Sequence, residues 1–315
     1  MLMIIASALA PVFFVMGLGF FAGKRGMVDN LNIKSLNVFL MMFALPAALF
    51  TAIARTPRAV IIDNASLMLV LAFCLLVIYG VMALLQWKLF RLAQADAAVL
   101  MLTVAFPNFA SVGIPLIVGV YGPHAALAVA VAIATGACTI SPLTLTLLEL
   151  AKEGADAGSG FTKFRIALWK SVTKPIIIAP LLAVILALLG APLPPILDKT
   201  FSVIGVATGG AGLFLTGLIL SAQPIRISPP VIIGVTLKNI IQPLLAAAVV
   251  FILRVPQPLA SEVVLMVCIP CGFFGMVFGA GYGARPAVAG STLVISSLFS
   301  MLTLAVAIAL LAPHP

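Results

Sequence analysis

The sequence predicts an all-α integral membrane protein of ten transmembrane helices, built as two inverted five-helix repeats in which helices 4 and 9 are broken. Three observations predict it. The 315 residues are 63% apolar and 8% charged, where soluble domains carry about 45–50% and about 25%, so too few ionisable side chains exist to cover a water-facing surface. Apolar runs of about 20 residues, enough to cross a bilayer core of about 30 Å, follow one another from end to end and leave no room for a large aqueous domain. Prolines and Tyr-Gly pairs also recur in the two halves at near-constant spacing.

The first run, 2–22, closes on Gly23-Lys24-Arg25 and lacks the basic opening and small-residue cleavage site of a signal peptide, so it reads as a retained span. Runs 33–53 and 65–87 follow. The fourth, 95–121, is interrupted by Phe106-Pro107-Asn108-Phe109-Ala110-Ser111-Val112-Gly113-Ile114-Pro115. After 125–149 come 166–189, 195–221 and 229–253. The ninth, 259–283, is interrupted by Ile269-Pro270-Cys271-Gly272-Phe273-Phe274-Gly275, and the tenth is 287–311. Proline lacks a backbone donor and clashes with the preceding turn, so both interrupted runs should be broken helices whose freed groups are satisfied by protein or a wet cavity.

The one polar, low-hydropathy stretch, Leu150 to Lys163, falls mid-chain with five runs on each side. It divides the chain into a first repeat (1–150), a linker (151–163) and a second repeat (164–315). Pro11 matches Pro175, Pro107 matches Pro270, and Tyr121-Gly122 matches Tyr282-Gly283, at offsets of 164, 163 and 161. With the N-terminus outside, twelve Lys and Arg fall in inside loops against four outside, Arg55, Arg58, Lys199 and Arg254. The positive-inside rule then puts both termini outside and the central linker in the cytoplasm, with a bacterial inner membrane as the expected location. Five being odd, the second half enters the membrane in the opposite sense.

Charge and composition exclude other classes. The basic residues sit singly or in pairs at run ends, which orients a membrane protein and gives no nucleic-acid surface. Cys74, Cys138, Cys268 and Cys271 lie in apolar stretches and read as buried small residues. No metal or cofactor is expected: Cys268-Ile269-Pro270-Cys271 has no second pair, and the Gly-rich run 205–217 lacks the Gly-Lys-Ser/Thr of a phosphate loop and reads as close helix packing. An enzyme would need converging acid, base or metal ligands in the spans, and none is found.

Broken helices at corresponding positions of two inverted halves point to a transport site near the bilayer midplane. In the first break, Asn108 stands between Pro107 and Pro115 with Ser111 and Gly113 beside it. In the second, Pro270, Cys271 and Gly272 offer backbone groups and a thiol. Each half-helix after a break would turn its positive end towards an anion. The alternative is a structural kink whose Asn satisfies freed carbonyls.

Lys238, with Asn239 and Gln242, is the one basic residue well inside a run. It either snorkels to the cytoplasmic face or lends charge to an anion cavity. All eight acidic residues lie in loops or at run ends, and His124 and His314 in a loop and the tail, which favours an anionic over a cationic cargo. Glu262 is the only candidate coupling carboxylate, so a coupling proton or sodium ion stays open. Outward apolar faces would serve lipid or a homodimer partner equally.

Gly17-Leu18-Gly19-Phe20 with Gly23 and Gly26, Leu36-Asn37, Ala44-Leu45-Pro46-Ala47, Pro107-Asn108, Gly113-Ile114-Pro115-Leu116 and Tyr121-Gly122 resemble the auxin efflux carrier family over nearly the whole chain. That family is similar in fold to bile-acid sodium symporters, and some bacterial members are described as malonate transporters. The resemblance implies that helices 4 and 9 cross at the substrate site, and that a scaffold part and a transport part move against each other.

Pro107, Asn108 and Pro115 match the family's first crossover and Pro270 its second. Cys271-Gly272-Phe273-Phe274 stands where members often place a polar residue, commonly Asn, so auxin itself is not implied. Lys238 matches a position where members often carry a basic residue. The expected function is a secondary transporter of a small organic anion, malonate or another short carboxylate, by elevator-like alternating access. The alternatives are a carrier of larger apolar anions or amino acids, or a channel, for which the sequence offers no charged ring or repeated filter.

Overall fold

The computed structural model describes residues 2–31, 33–59, 65–122, 125–153, 160–222 and 225–311, and among these every regular element is helical. The first half comprises α1 (Leu2–Lys24), α2 (Lys34–Ala54), α3 (Ser66–Phe90), the half-helices α4 (Gln94–Ala105) and α5 (Ile114–Tyr121), and α6 (Ala128–Lys152). The second comprises α7 (Gly160–Val172), α8 (Pro175–Leu188), α9 (Pro195–Ser221) and α10 (Pro229–Ile252), then the half-helices α11 (Leu259–Val267) and α12 (Phe274–Gly281), and α13 (Ala287–Leu311).

Local chemistry sets the boundaries. Pro175, Pro195 and Pro229 open helices where a missing N–H costs nothing. Arg91 and Arg254, both left-handed with φ of 52° and 51°, follow the ends of α3 and α10 at positions 163 apart.

Among the described residues six helices are long and apolar enough to cross a membrane, and the bent pair Phe164–Lys170 with Pro175–Leu188 makes up to seven. The fourth and ninth runs break as expected, into halves of 12 and 8 and of 9 and 8 residues. The sixth run differs from expectation. Lys174, preceding a proline, is held extended (ψ 143°), and the chain bends by 69° into α7, which packs on α6. Helix also enters the expected linker from both sides, α7 beginning at Gly160, while 154–159, His124 and His314 lie outside the described residues.

Burial is the inverse of a soluble protein's. Phe14, Leu69, Trp87, Phe251, Leu302 and Leu310 face outward, whereas Thr103, Lys238, Gln242, Ser296 and Ser300 are fully buried. Buried hydroxyls turn back on their own helices, as Thr103 does to Val99 O (2.8 Å) and Thr216 to Gly212 O (2.8 Å).

Packing falls into two groups. α1 lies along α9, and α2 packs on α8 and α9, while α4 is surrounded by α3, α6, α12 and α13, with α10 on α3, α11 and α13. Small residues make the first group close: a methyl on Gly217 would strike Met16 O, and one on Gly19 would strike Phe214 O. Gly217→Val is therefore expected to cost about 1–3 kcal/mol, read as a lowered Tm in detergent. Gly210→Ala, with nothing within 4 Å, is the control that leaves Tm unchanged or higher.

Candidate functional site

α4 ends because Phe106, preceding Pro107, is held extended at φ −100°, ψ 107°. α11 ends at Val267, two residues before Ile269-Pro270, and the two breaks cross antiparallel. The Asn108 N–H donates to Pro270 O (2.9 Å) and the Gly272 N–H to Phe106 O (2.8 Å), with Pro107 opposite Cys271. In this register the ladder asks no donor of either proline, so residues without an N–H fit it at no cost. Backbone amides that the sequence leaves facing a ligand are thus used to hold the breaks together.

Side chains from two other helices complete the crossing. On α13, Ser296 Oγ accepts from the Cys271 N–H (3.1 Å) and donates to Asn239 Oδ1 (2.7 Å) on α10, and Asn239 Nδ2 donates to Ser296 O (3.1 Å). Phe106, Phe109, Phe273, Phe274 and Phe278 form a contiguous aromatic layer with centroids 5.0 to 6.4 Å apart. Gly136 on α6 and Gly212 on α9 leave the room that the Phe106 and Phe273 rings fill. The Asn108 side chain is buried at 5% exposure and Gly113 packs on Val129, while the side chains of Ser111 and Pro115 lie outside the described residues.

Lys238 sits in a wide turn of α10, Leu237–Ile241, and is fully buried, so it does not snorkel to a face. Its Nζ donates to Gln242 Oε1 (2.7 Å) and to Val267 O (2.8 Å), and Gln242 Nε2 donates to Ala105 O (3.0 Å). The sequence reading names Asn239 and Gln242 only as neighbours of Lys238 and does not name Ser296. The signal for Ser296 is four serines, Ser291, Ser296, Ser297 and Ser300, within one apolar span.

The end of each broken helix is tied down by its tyrosine. Tyr121 donates to Leu311 O (3.1 Å), and Tyr282 to Glu149 Oε1 (2.7 Å), which also pairs with Lys174 Nζ (2.9 Å). Lys174 lies 5.0 Å from the Tyr282 ring centroid, so one buried carboxylate joins α6, α8 and α12. Asn37 on α2 donates to Val277 O (2.9 Å) and accepts from the Gly281 N–H (3.1 Å). Glu262 is buried in the first turn of α11. Among the described residues no three His, Cys, Asp or Glu groups converge as a metal site.

Two cavities of about 560 and about 500 Å³ flank the first halves of the broken helices. Trp87, Arg91, Gln94, Met101 and Leu147 line one, and Phe251, Arg254, Gln257, Val264 and Leu311 the other, each pair 163 or 164 positions apart.

Comparison with known proteins bears on this arrangement. The family model described as "Membrane transport protein" matches residues 4–308. The chain is 30% identical over 302 residues to the uncharacterized transporter YfdV of Escherichia coli strain K12, covering 94% of each chain. It is 24% identical over 294 residues to the uncharacterized transporter MJ1031 of Methanocaldococcus jannaschii, covering 91% of this chain and 92% of that one.

Proposed function

The chain belongs to the membrane transport protein family, that of the auxin efflux carriers, and is an integral membrane transporter; on that premise we propose that it is a secondary carrier of a small organic anion, a short carboxylate such as malonate. The single observation that carries this reading is the antiparallel pairing of Phe106–Asn108 with Pro270–Gly272. It brings the helical segments that follow the two breaks, from Phe109 into α5 and from Phe274 along α12, to begin beside one buried point. Their positive ends favour an anion there, and Asn108 supplies a neutral amide for a carboxylate to address.

Ten spans in two inverted five-helix repeats is the architecture of this reading. Its support is the recurrence, 163 or 164 positions apart, of the left-handed arginines and the cavity linings. The excess of Lys and Arg on one side supports outside termini and a cytoplasmic 151–163, in a bacterial inner membrane. The two packing groups support elevator-like movement, with α1, α2, α8 and α9 as scaffold and the remaining spanning helices carrying the site. Glu149 with Lys174, and Asn37 with α12, are then contacts between the moving parts.

The test is counterflow of labelled malonate in proteoliposomes, with short mono- and dicarboxylates and amino acids as competitors. The expected result is saturable uptake accelerated by malonate preloaded inside. Uptake that does not saturate and shows no counterflow would make the protein a channel. Correctly inserted protein that takes up no short carboxylate would exclude them as cargo.

A further inference from the structure

Two helices end, rather than begin, behind the crossing. α4 stops at Ala105 and α11 at Val267, and the amides that would have closed their last turns point elsewhere. The Phe109 N–H goes to Pro107 O and the Cys271 N–H to Ser296 Oγ. A helix C-terminus carries about half a negative charge, so the two together place about one unit of negative charge in a dry interior. Uncompensated, that charge would be costly and would attract a cation.

One side-chain pair from α10 meets both ends. Lys238 Nζ reaches Val267 O and Gln242 Oε1, and Gln242 Nε2 reaches Ala105 O, at 2.8, 2.7 and 3.0 Å. Lys238 and Gln242 are each at 0% exposure. The positions 164 earlier on α3 are Cys74 and Ile78, so one ammonium serves the α11 end directly and the α4 end through Gln242. In carriers built on broken helices, such C-terminal ends are where a coupling cation is held.

We propose that the Lys238 ammonium is a resident cation: it occupies the place of a coupling sodium ion at the ends of α4 and α11, and the protein moves its substrate without binding an inorganic cation there. A second cation beside a buried ammonium would meet like charge at close range, so occupancy by Lys238 excludes the ion. The proposal rests on the carrier reading above, but its test uses no substrate.

Purified wild type in detergent should show the same Tm, within about 1 °C, in sodium, lithium or choline chloride at matched ionic strength. Lys238→Ala empties the place of the ammonium. In choline its Tm should fall by at least about 5 °C, and sodium or lithium should restore half of that loss or more. Lys238→Met fills the space with an uncharged stem, so its loss should not be restored by any cation. If Lys238→Ala is not recovered folded, the equally short Lys238→Ser is measured instead and read in the same way.

A wild-type Tm raised by sodium, or a neutral short variant restored by no monovalent cation, overturns the proposal. Absence of anion uptake by wild type, with this pattern of stabilities intact, counts against the carrier reading and not against the resident cation.

Discussion

Asn108→Ala is expected to lower initial anion uptake by about 10- to 100-fold while expression, insertion and Tm stay close to wild type. The magnitude is that of one hydrogen bond to a charged group in a dry site, about 1.5–3 kcal/mol. Folding should survive because the substitution leaves the main chain of the crossing in place. The backbone ties that hold the crossing, Asn108 N–H to Pro270 O and Val112 N–H to Asn108 O, at 2.9 and 3.0 Å, remain. The check is uptake at substrate well below saturation, set beside a thermal scan of the same preparation. Wild-type uptake in a folded Asn108→Ala protein would take the amide out of the site. A collapse of Tm alongside uptake would return the residue to a purely structural role.

Gly272→Ala should do the opposite, damaging fold and transport together. A methyl there would lie 2.6 Å from Phe106 O and 3.2 Å from Pro107 O. These are backbone atoms, and Phe106 O is the acceptor of the Gly272 N–H, so the added carbon and the ladder bond compete for one place. No rotamer relieves such a clash, and the crossing must open. The expected loss is about 1–3 kcal/mol of stability, with uptake near background because the half-helices no longer begin at one point. A fully stable, fully active Gly272→Ala would mean that the pairing of the two breaks is dispensable. Gly283→Ala, at a left-handed φ of 76° with open space around it, separates the two causes of glycine sensitivity: it should strain the turn but leave the crossing alone.

Much of the fold was legible in the residues because lipid imposes a simple rule. A segment that crosses must be apolar for about 20 residues and must satisfy its own backbone, and that leaves its mark on composition and on the position of every proline. The breaks at Pro107 and Pro270 are where the rule is visibly broken, and both are breaks in the structure. The bend before Pro175 was equally written in the sequence, since the residue before a proline resists the helical conformation. The polar stretch Lys170-Ser171-Val172-Thr173-Lys174 inside the run 166–189 marks the same place.

The site was less legible because hydrogen bonding across the fold has no sequence period. Asn108 and Gly272 appear in the sequence as residues with free amides, yet each amide finds its acceptor more than 160 residues away. Lys238 stands out at once as a charge inside an apolar run. That it ends on Val267 O, with Gln242 passing the contact on to Ala105 O, depends on three helices meeting. Ser296, in a span of otherwise ordinary composition, joins the crossing only because α13 passes behind it.

The sequence by itself therefore determined that this is a helical membrane protein, where two of its apolar runs break and which polar residues lie too deep for chance. Solvent and covalent chemistry act on each segment locally, so those properties can be read segment by segment. Only the tertiary structure decided that the breaks pair with each other, that five phenylalanines close around them and that a lysine and its glutamine partner meet two helix ends. These are agreements between groups far apart in the chain, and a buried donor shows which acceptor it satisfies only when both are in place.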